Sequence, residues 1–113
     1  MVEEAGAMSE VWNRDETEAG LLAALAGTGD AGEMRALLTE VLTAAEYRAL
    51  VRRWAILELL ERGFTQRKIA EEIGGSLCNV TRGAKILRNP ESVAAKALRR
   101  LELNERTGKE SES

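Results

Sequence analysis

Residues 64–83 read F-T-Q-R-K-I-A-E-E-I-G-G-S-L-C-N-V-T-R-G and decide the fold of the chain. Thr65 stands where the N-cap of a helix is expected, and Ile69 and Ile73 lie one helical turn apart. Gly74-Gly75 can form a sharp turn, because glycine adopts positive φ at little steric cost. A second helix follows, with apolar residues spaced three, four and three positions apart: Leu77, Val80, Ala84 and Leu87. The pattern is that of a helix-turn-helix, although an αα-hairpin inside a helical bundle would share it.

Polarity favours the DNA-reading interpretation of this stretch. The second helix is polar but uncharged near its tip, and Arg67 opens the first helix. A small polar tip with basic flanks suits entry into the major groove, whereas bundle surfaces mix Glu and Lys freely.

The net charge of −3 is distributed unevenly along the chain. Residues 1–42 hold two basic and nine acidic residues, a net −7, and residues 91–113 hold five of each. Residues 43–90, which contain the suspected DNA-binding unit, hold nine basic and five acidic residues, a net +4. Such a local excess is what phosphate contacts require, although ordinary scatter over a solvated helical surface could also produce it.

The residue inventory argues against an enzyme, a metal site and a membrane protein. The chain has no histidine, and its single cysteine, Cys78, has no evident base partner. One cysteine cannot form an intrachain disulfide and fits a reduced, cytoplasmic setting. No apolar run approaches the length of a membrane span, and the acidic N-terminus lacks the form of a signal peptide. We therefore expect no catalytic residues, no metal and no cofactor.

The spacing of apolar residues is helical over most of the chain, which predicts an all-α fold. Besides the two motif helices, it predicts helices at residues 16–26, 33–42, 44–62 and 90–105. Thr43 and Glu46 form a capping box before the long third helix, and Gly63 ends it. Asn89-Pro90 predicts the start of the sixth, with asparagine as its cap and proline at its first position.

A single helical domain at residues 15–106 accounts for this pattern, with the helix-turn-helix at residues 65–88. We predict that residues 1–14 form a flexible acidic arm and that residues 107–113 form a disordered tail. The first two helices are short and apolar, which favours a core shared between two subunits. Packing of these helices against the third helix is the simpler alternative.

Three segments together resemble the Trp repressor family. They are L-T-A-A-E-Y-R-A-L-V-R-R-W-A-I at 42–56, T-Q-R-K-I-A-E-E-I-G at 65–74 and N-V-T-R-G-A-K-I-L at 79–87. The likeness runs from about Glu16 to Leu101. It implies an intertwined homodimer of six-helix chains, which represses transcription when L-tryptophan binds between the core and the DNA-reading helices.

The resemblance also implies a set of ligand-binding residues. Arg53 and Arg82 match the two family arginines whose guanidinium planes enclose the indole ring, and Arg82 would also pair with the carboxylate. Gly83 would leave room for the ring, because a Cβ at this position would meet it.

The partner chain would complete the implied site. Its Thr43 would lie near the carboxylate, and its backbone carbonyls around Glu40 and Leu42 would receive the ammonium group. Two features depart from the family pattern. Ile86 stands where the family usually has a small residue, often serine, beside the amino group, and the link at residues 63–65 is one residue shorter.

The resemblance places DNA contacts on both motif helices. Arg67 is the expected direct base contact, bidentate to guanine, and Asn79 would bond adenine directly or through water. Lys68, Lys85 and Arg88 are the expected phosphate contacts. The other candidates lie at the start of each helix and at the tip of the second: Gln66, Ser76, Leu77, Cys78 and Thr81.

The sequence thus predicts a homodimeric, cytoplasmic DNA-binding repressor. Its expected partners are a double-stranded DNA operator, a second copy of itself and a small aromatic ligand, L-tryptophan. Two alternatives stay open: a related regulator with another ligand or none, and a helical protein-interaction module without DNA activity.

Overall fold

The computed structural model of the protein describes residues 11–74 and 77–112, with side-chain environments through Asn104. The described residues form six helices and no strands, so the predicted all-α class is confirmed. The chain divides into two compact units, Met1–Tyr47 and Arg48–Ser113. The helices are α1 (Arg14–Ala26), α2 (Ala31–Val41), α3 (Ala44–Glu61), α4 (Gln66–Ile73), α5 (Leu77–Arg88) and α6 (Val93–Glu112).

The first two helices begin two residues earlier than the apolar spacing predicted, because their caps lie further upstream. The Asn13 side chain accepts a hydrogen bond from the Glu16 amide, and the Asp30 side chain accepts one from the Glu33 amide. Each bond satisfies one of the amides that the first turn of a helix leaves unpaired. Neither helix contains a buried residue.

The capping box at the start of α3 is confirmed. The Thr43 hydroxyl accepts from the Glu46 amide at 3.1 Å, and the Glu46 carboxylate accepts from the Thr43 amide at 2.8 Å. This reciprocal pair satisfies two backbone donors and sets where the long helix begins.

The end of α3 is a Schellman motif, as the glycine predicted. Gly63 has φ 96°, its amide donates to the Leu60 carbonyl, and the Phe64 amide donates to the Leu59 carbonyl. Only a residue without Cβ takes this conformation cheaply. The Arg62 guanidinium stands 5.4 Å above the centroid of the Phe64 ring, so a cation–π contact joins the residues on either side of Gly63.

The helix-turn-helix has its own small core. The Thr65 side chain caps α4 by accepting from the Lys68 amide, and Gly74 ends the helix with φ 71°. Ile69 of α4 and Val80 of α5 are fully buried against Ile56 of α3. Four partly buried residues pack around these three: Leu59, Leu60, Ala70 and Ile73.

The start of α6 differs from the prediction. Ser92, not Asn89, caps the helix, since its hydroxyl accepts from the Ala95 amide, whereas the Asn89 side chain accepts from the Glu91 amide within the preceding turn. The buried positions are Ala95 and Leu98. The helix also continues to Glu112, past the predicted end at residue 105 and into the stretch expected to be disordered.

A bidentate ion pair joins the end of α3 to α6. The Arg99 Nε and Nη2 atoms donate to the two Glu61 carboxylate oxygens at 3.0 and 3.1 Å. The hydrogen bonds from Arg99 lower the pKa of Glu61 below its ordinary value. The folded state therefore binds this proton less tightly than the unfolded chain does.

This ion pair predicts a pH dependence of stability. Because the pKa of Glu61 is lowered on folding, its contribution is present above a pH of about 4.5 and is lost as the pH falls through the lowered value. Urea unfolding of Glu61→Gln should therefore show a smaller acid loss of the free energy of unfolding than wild type. Glu58→Gln, which changes an exposed glutamate of the same helix, is the control and should keep the wild-type slope.

Candidate ligand pocket and DNA-reading surface

A pocket opens between α3 and α5 within the second unit, with a cavity volume of ≈ 210 Å³. Each helix contributes four residues at the spacing i, i+3, i+4 and i+7, which places them on one helical face. They are Leu50, Arg53, Trp54 and Leu57 from α3, and Asn79, Arg82, Gly83 and Ile86 from α5. The pocket therefore lies where these two faces, one on α3 and one on α5, meet.

The lining of this pocket suits an anion that carries a large apolar group. Its inner surface is built mainly from aliphatic side chains and Trp54, and two guanidinium groups, those of Arg53 and Arg82, stand at its exposed edge. Among the described lining residues no carboxylate is present to neutralise them. A carboxylate can take two parallel hydrogen bonds from one guanidinium group, and an aromatic ring can stack on its plane.

Gly83 sets the distance between the two helices. A Cβ built on Gly83 would lie 3.0 Å from Ile56 Cγ2, 3.2 Å from Leu60 Cδ1 and 3.5 Å from Leu57 Cδ2. The sequence analysis predicted that the absence of a side chain at Gly83 leaves room for the ligand ring. A Cβ at this position would instead point toward side chains of α3. The glycine thus acts on the pocket through helix packing, although it also lines the cavity.

The variant Gly83→Ala is expected to lower the melting temperature. Alanine in a helix interior gains about 0.5–1 kcal/mol over glycine, while overpacking a tight contact costs about 1–3 kcal/mol. The matched control is Gly20→Ala in α1, where a Cβ would meet nothing within 4 Å and alanine should stabilise the helix. Stabilisation of the protein by Gly83→Ala to the extent seen for Gly20→Ala would contradict the close packing. Thermal unfolding followed by circular dichroism measures both.

The structure brings together the four ligand-binding residues predicted within this unit, which are Arg53, Arg82, Gly83 and Ile86. It adds four lining residues that the sequence had not assigned to the ligand: Leu50, Trp54, Leu57 and Asn79. The three from α3 belong to the apolar spacing that predicted this helix, and no ligand role was drawn from them. Their spacing around Arg53 was the signal that could have identified them.

Asn79 was expected to contact a base of the DNA. It is half-buried and lines the pocket, and its contact with DNA stays a prediction. Asn79 precedes Arg82 by three positions and Gly83 by four, so it shares their face of α5.

The remaining predicted ligand residues belong to the first unit. Glu40 lies exposed in the last turn of α2, Leu42 is the half-buried C-cap of that helix, and Thr43 caps α3. The resemblance expects these residues from the partner chain, so their contribution to the ligand stays a prediction.

The predicted DNA contacts other than Asn79 lie on the surface of α4 and α5. All of them within the described residues are exposed: Gln66, Arg67, Lys68, Leu77, Cys78, Thr81, Lys85 and Arg88. Ser76, the remaining predicted DNA contact, lies outside the described residues. The Thr81 hydroxyl donates to the Gln66 side-chain oxygen at 3.3 Å, which links the reading helix to the start of α4.

The two exposed cations of α4 are each paired with a glutamate along the helix. Arg67 Nε lies 3.7 Å from Glu71 Oε1, and Lys68 Nζ lies 3.0 Å from Glu72 Oε1. All four side chains are more than half exposed, and such surface pairs contribute at most about 1 kcal/mol. A phosphate or a base edge can therefore displace either glutamate at low cost.

Other kinds of site are not found in the part of the chain that the structure describes. It contains no group of three acidic, cysteine or histidine side chains that could bind a metal ion. None of its helices combines the length and the apolar character that a membrane span needs.

Comparison with known proteins assigns the family. The sequence profile described as Trp repressor protein matches residues 17–102, which include all six helices in whole or in part. The chain belongs to the Trp repressor family. Members of the family are regulators and not enzymes, so membership points to a DNA-binding transcriptional regulator. No curated protein and no solved structure matched the chain.

Proposed function

We propose that the protein is a homodimeric, cytoplasmic DNA-binding repressor that requires L-tryptophan as its corepressor. The observation that carries this proposal is that Arg53 and Arg82 line one pocket, and that Arg82 projects from the reading helix of the helix-turn-helix. Ligand binding and DNA reading would thus use two faces of the same helix, α5.

In this proposal the ligand acts by fixing the orientation of α5. The carboxylate pairs with Arg82, and the indole ring lies against Arg53 and the apolar wall formed by Leu57 and Trp54. A ligand shifts the protein toward one orientation only as far as it binds that orientation more tightly. Arg53 and Arg82 are both exposed, so a ligand can reach their guanidinium groups from solvent.

The ammonium group of the ligand would be held by the partner chain. Ile86 cannot donate or accept a hydrogen bond, so the backbone carbonyls around Glu40 and Leu42 and the hydroxyl of Thr43 would supply the polar contacts. Ile86 supports the alternative that the natural ligand is another aromatic carboxylate, because it adds bulk and removes a polar group at this wall. L-tryptophan is the first ligand to test.

The homodimer is supported by the apolar surface of the described chain. Neither α1 nor α2 contains a buried residue, and large apolar side chains are 44–78% exposed in both units. They are Leu21, Leu22, Val41, Leu50, Val51, Val93, Leu101 and Leu103. So many exposed apolar side chains on a small domain are typical of an interface between subunits.

Light scattering tests the dimer directly. At micromolar concentration the mass should be near twice 12.4 kDa. A monomer at that concentration would contradict a shared core, whatever the ligand.

The central experiment measures whether L-tryptophan controls sequence-specific DNA binding. Selection from a pool of random duplexes, with and without 1 mM L-tryptophan, should enrich one operator sequence only when the ligand is present. Mobility-shift titration of that duplex then gives its affinity. Enrichment that does not depend on L-tryptophan would favour a regulator with another ligand or none. Absence of any sequence preference would favour a helical interaction module instead.

Lys85→Gln is expected to reduce the salt dependence of DNA binding. Each neutralised phosphate contributes about −0.9 to the slope of log affinity against log salt concentration. A dimer carries two Lys85 side chains, so the slope should become shallower by about 1.8 per bound dimer. The preferred sequence should not change, because a phosphate contact carries no base information. Lys96→Gln, which changes an exposed lysine of α6, is the control and should leave the slope as it is.

A further inference from the structure

Asn79 differs chemically from the rest of the pocket. Among the described lining residues it carries the one uncharged polar side chain, between two arginines and five apolar or aromatic residues. It is half-buried and stands on the same stripe of α5 as Arg82 and Ile86. The family resemblance offered no ligand role for this position.

Asn79 differs from the other lining residues in its ability to accept a hydrogen bond through its side chain. A guanidinium group and an indole N–H can only donate, and the aliphatic residues do neither. The Asn79 amide oxygen is therefore the one side-chain acceptor that the described lining offers to a ligand. Asn79 has another interaction within the protein, but an amide has two acceptor lone pairs and two donor hydrogens, so one more hydrogen bond can be accommodated.

An enclosed donor on the ligand requires such an acceptor. An aromatic ring with an N–H or O–H group loses its water when it enters the pocket, and a donor left unpaired weakens binding. A ring of the same shape without a donor has no such requirement. The acceptor thus favours one class of ring over the other.

We propose that Asn79 is a specificity-determining residue, whose amide oxygen accepts a hydrogen bond from a donor on the aromatic ring of the ligand. This inference rests on the proposed function, in which the pocket binds an aromatic carboxylate. It narrows the ligand to aromatic carboxylates whose ring carries an N–H or O–H group. It also links the ring to α5 at a second point, about one turn from Arg82.

Calorimetry with two ligands of the same shape tests the proposal. L-tryptophan carries a ring N–H, and L-3-(3-benzothienyl)alanine has sulfur in its place. Wild-type protein should bind L-tryptophan about 2- to 12-fold more tightly, the range expected for one net hydrogen bond. The ratio should fall to about one in Asn79→Leu, which has a similar size and no acceptor, and should persist in Asn79→Asp, which keeps an acceptor oxygen.

The outcomes separate this inference from the proposed function. A loss of helix or of packing in Asn79→Leu would weaken both ligands alike, so only the ratio reports on the hydrogen bond. If wild type binds both ligands equally, or if Asn79→Leu keeps the preference, the role of Asn79 is wrong while the pocket stands. If wild type binds neither ligand, the proposed ligand class fails and the inference fails with it.

Discussion

Replacing Arg82 with alanine is expected to lower the affinity for L-tryptophan by about 10- to 150-fold, which is the loss of a hydrogen bond to a charged group. Arg82 lines the pocket from α5, and no carboxylate among the described lining residues competes for its guanidinium group. Alanine removes both the fork that would hold the ligand carboxylate and the plane on which the ring would stack. Calorimetry on the full-length protein measures the change.

Two further variants show whether the shape or the charge of the Arg82 side chain accounts for the loss of ligand affinity. Arg82→Lys keeps the positive charge without the planar fork, so its affinity should fall between those of wild type and Arg82→Ala. Arg88→Ala removes an exposed cation from the same helix outside the pocket and should leave the affinity unchanged. If Arg88→Ala lost as much ligand affinity as Arg82→Ala, the ligand would be held only by the overall positive charge of the helix. The assigned pocket would then be wrong.

Local capping chemistry made much of the fold predictable from the sequence. Thr43, Gly63, Thr65 and Gly74 each carry a signal that depends only on neighbouring residues, and each one begins or ends a helix as predicted. Asn89-Pro90 misled the prediction because an asparagine followed by proline fits both a helix cap and a turn. Ser92 provides the cap at α6 instead, three residues downstream of Asn89.

The pocket was only half predictable, for a geometric reason. The spacing of residues along a helix shows which side chains share a face, but not which face turns toward a neighbouring helix. That rotation is fixed here by the contact of Gly83 with Ile56 and Leu60, which is a property of the packed pair of helices. The rotation carries Asn79 into the pocket along with Arg82, whereas the sequence analysis had assigned it only a contact with DNA.

Ile69→Ala is expected to lower the free energy of unfolding of the second unit by about 2–5 kcal/mol, the range for truncating a buried isoleucine. Ile69 is 1% exposed and joins α4 to Ile56 of α3 and Val80 of α5. The deleted atoms leave a cavity among three helices that meet only through a few side chains. Urea unfolding of the full-length protein measures the loss.

A graded pair of variants tests the cause of this loss. Ile69→Val removes one methyl group and should cost about 0.5–1.5 kcal/mol, whereas Lys96→Ala, at an exposed position of α6, should cost much less than Ile69→Ala. Ile69→Ala should also weaken operator binding and ligand binding together, because the same three side chains hold α4 against the reading helix and α5 against the pocket wall of α3. Loss of operator binding in Ile69→Ala with full ligand affinity would mean that the pocket does not depend on this core.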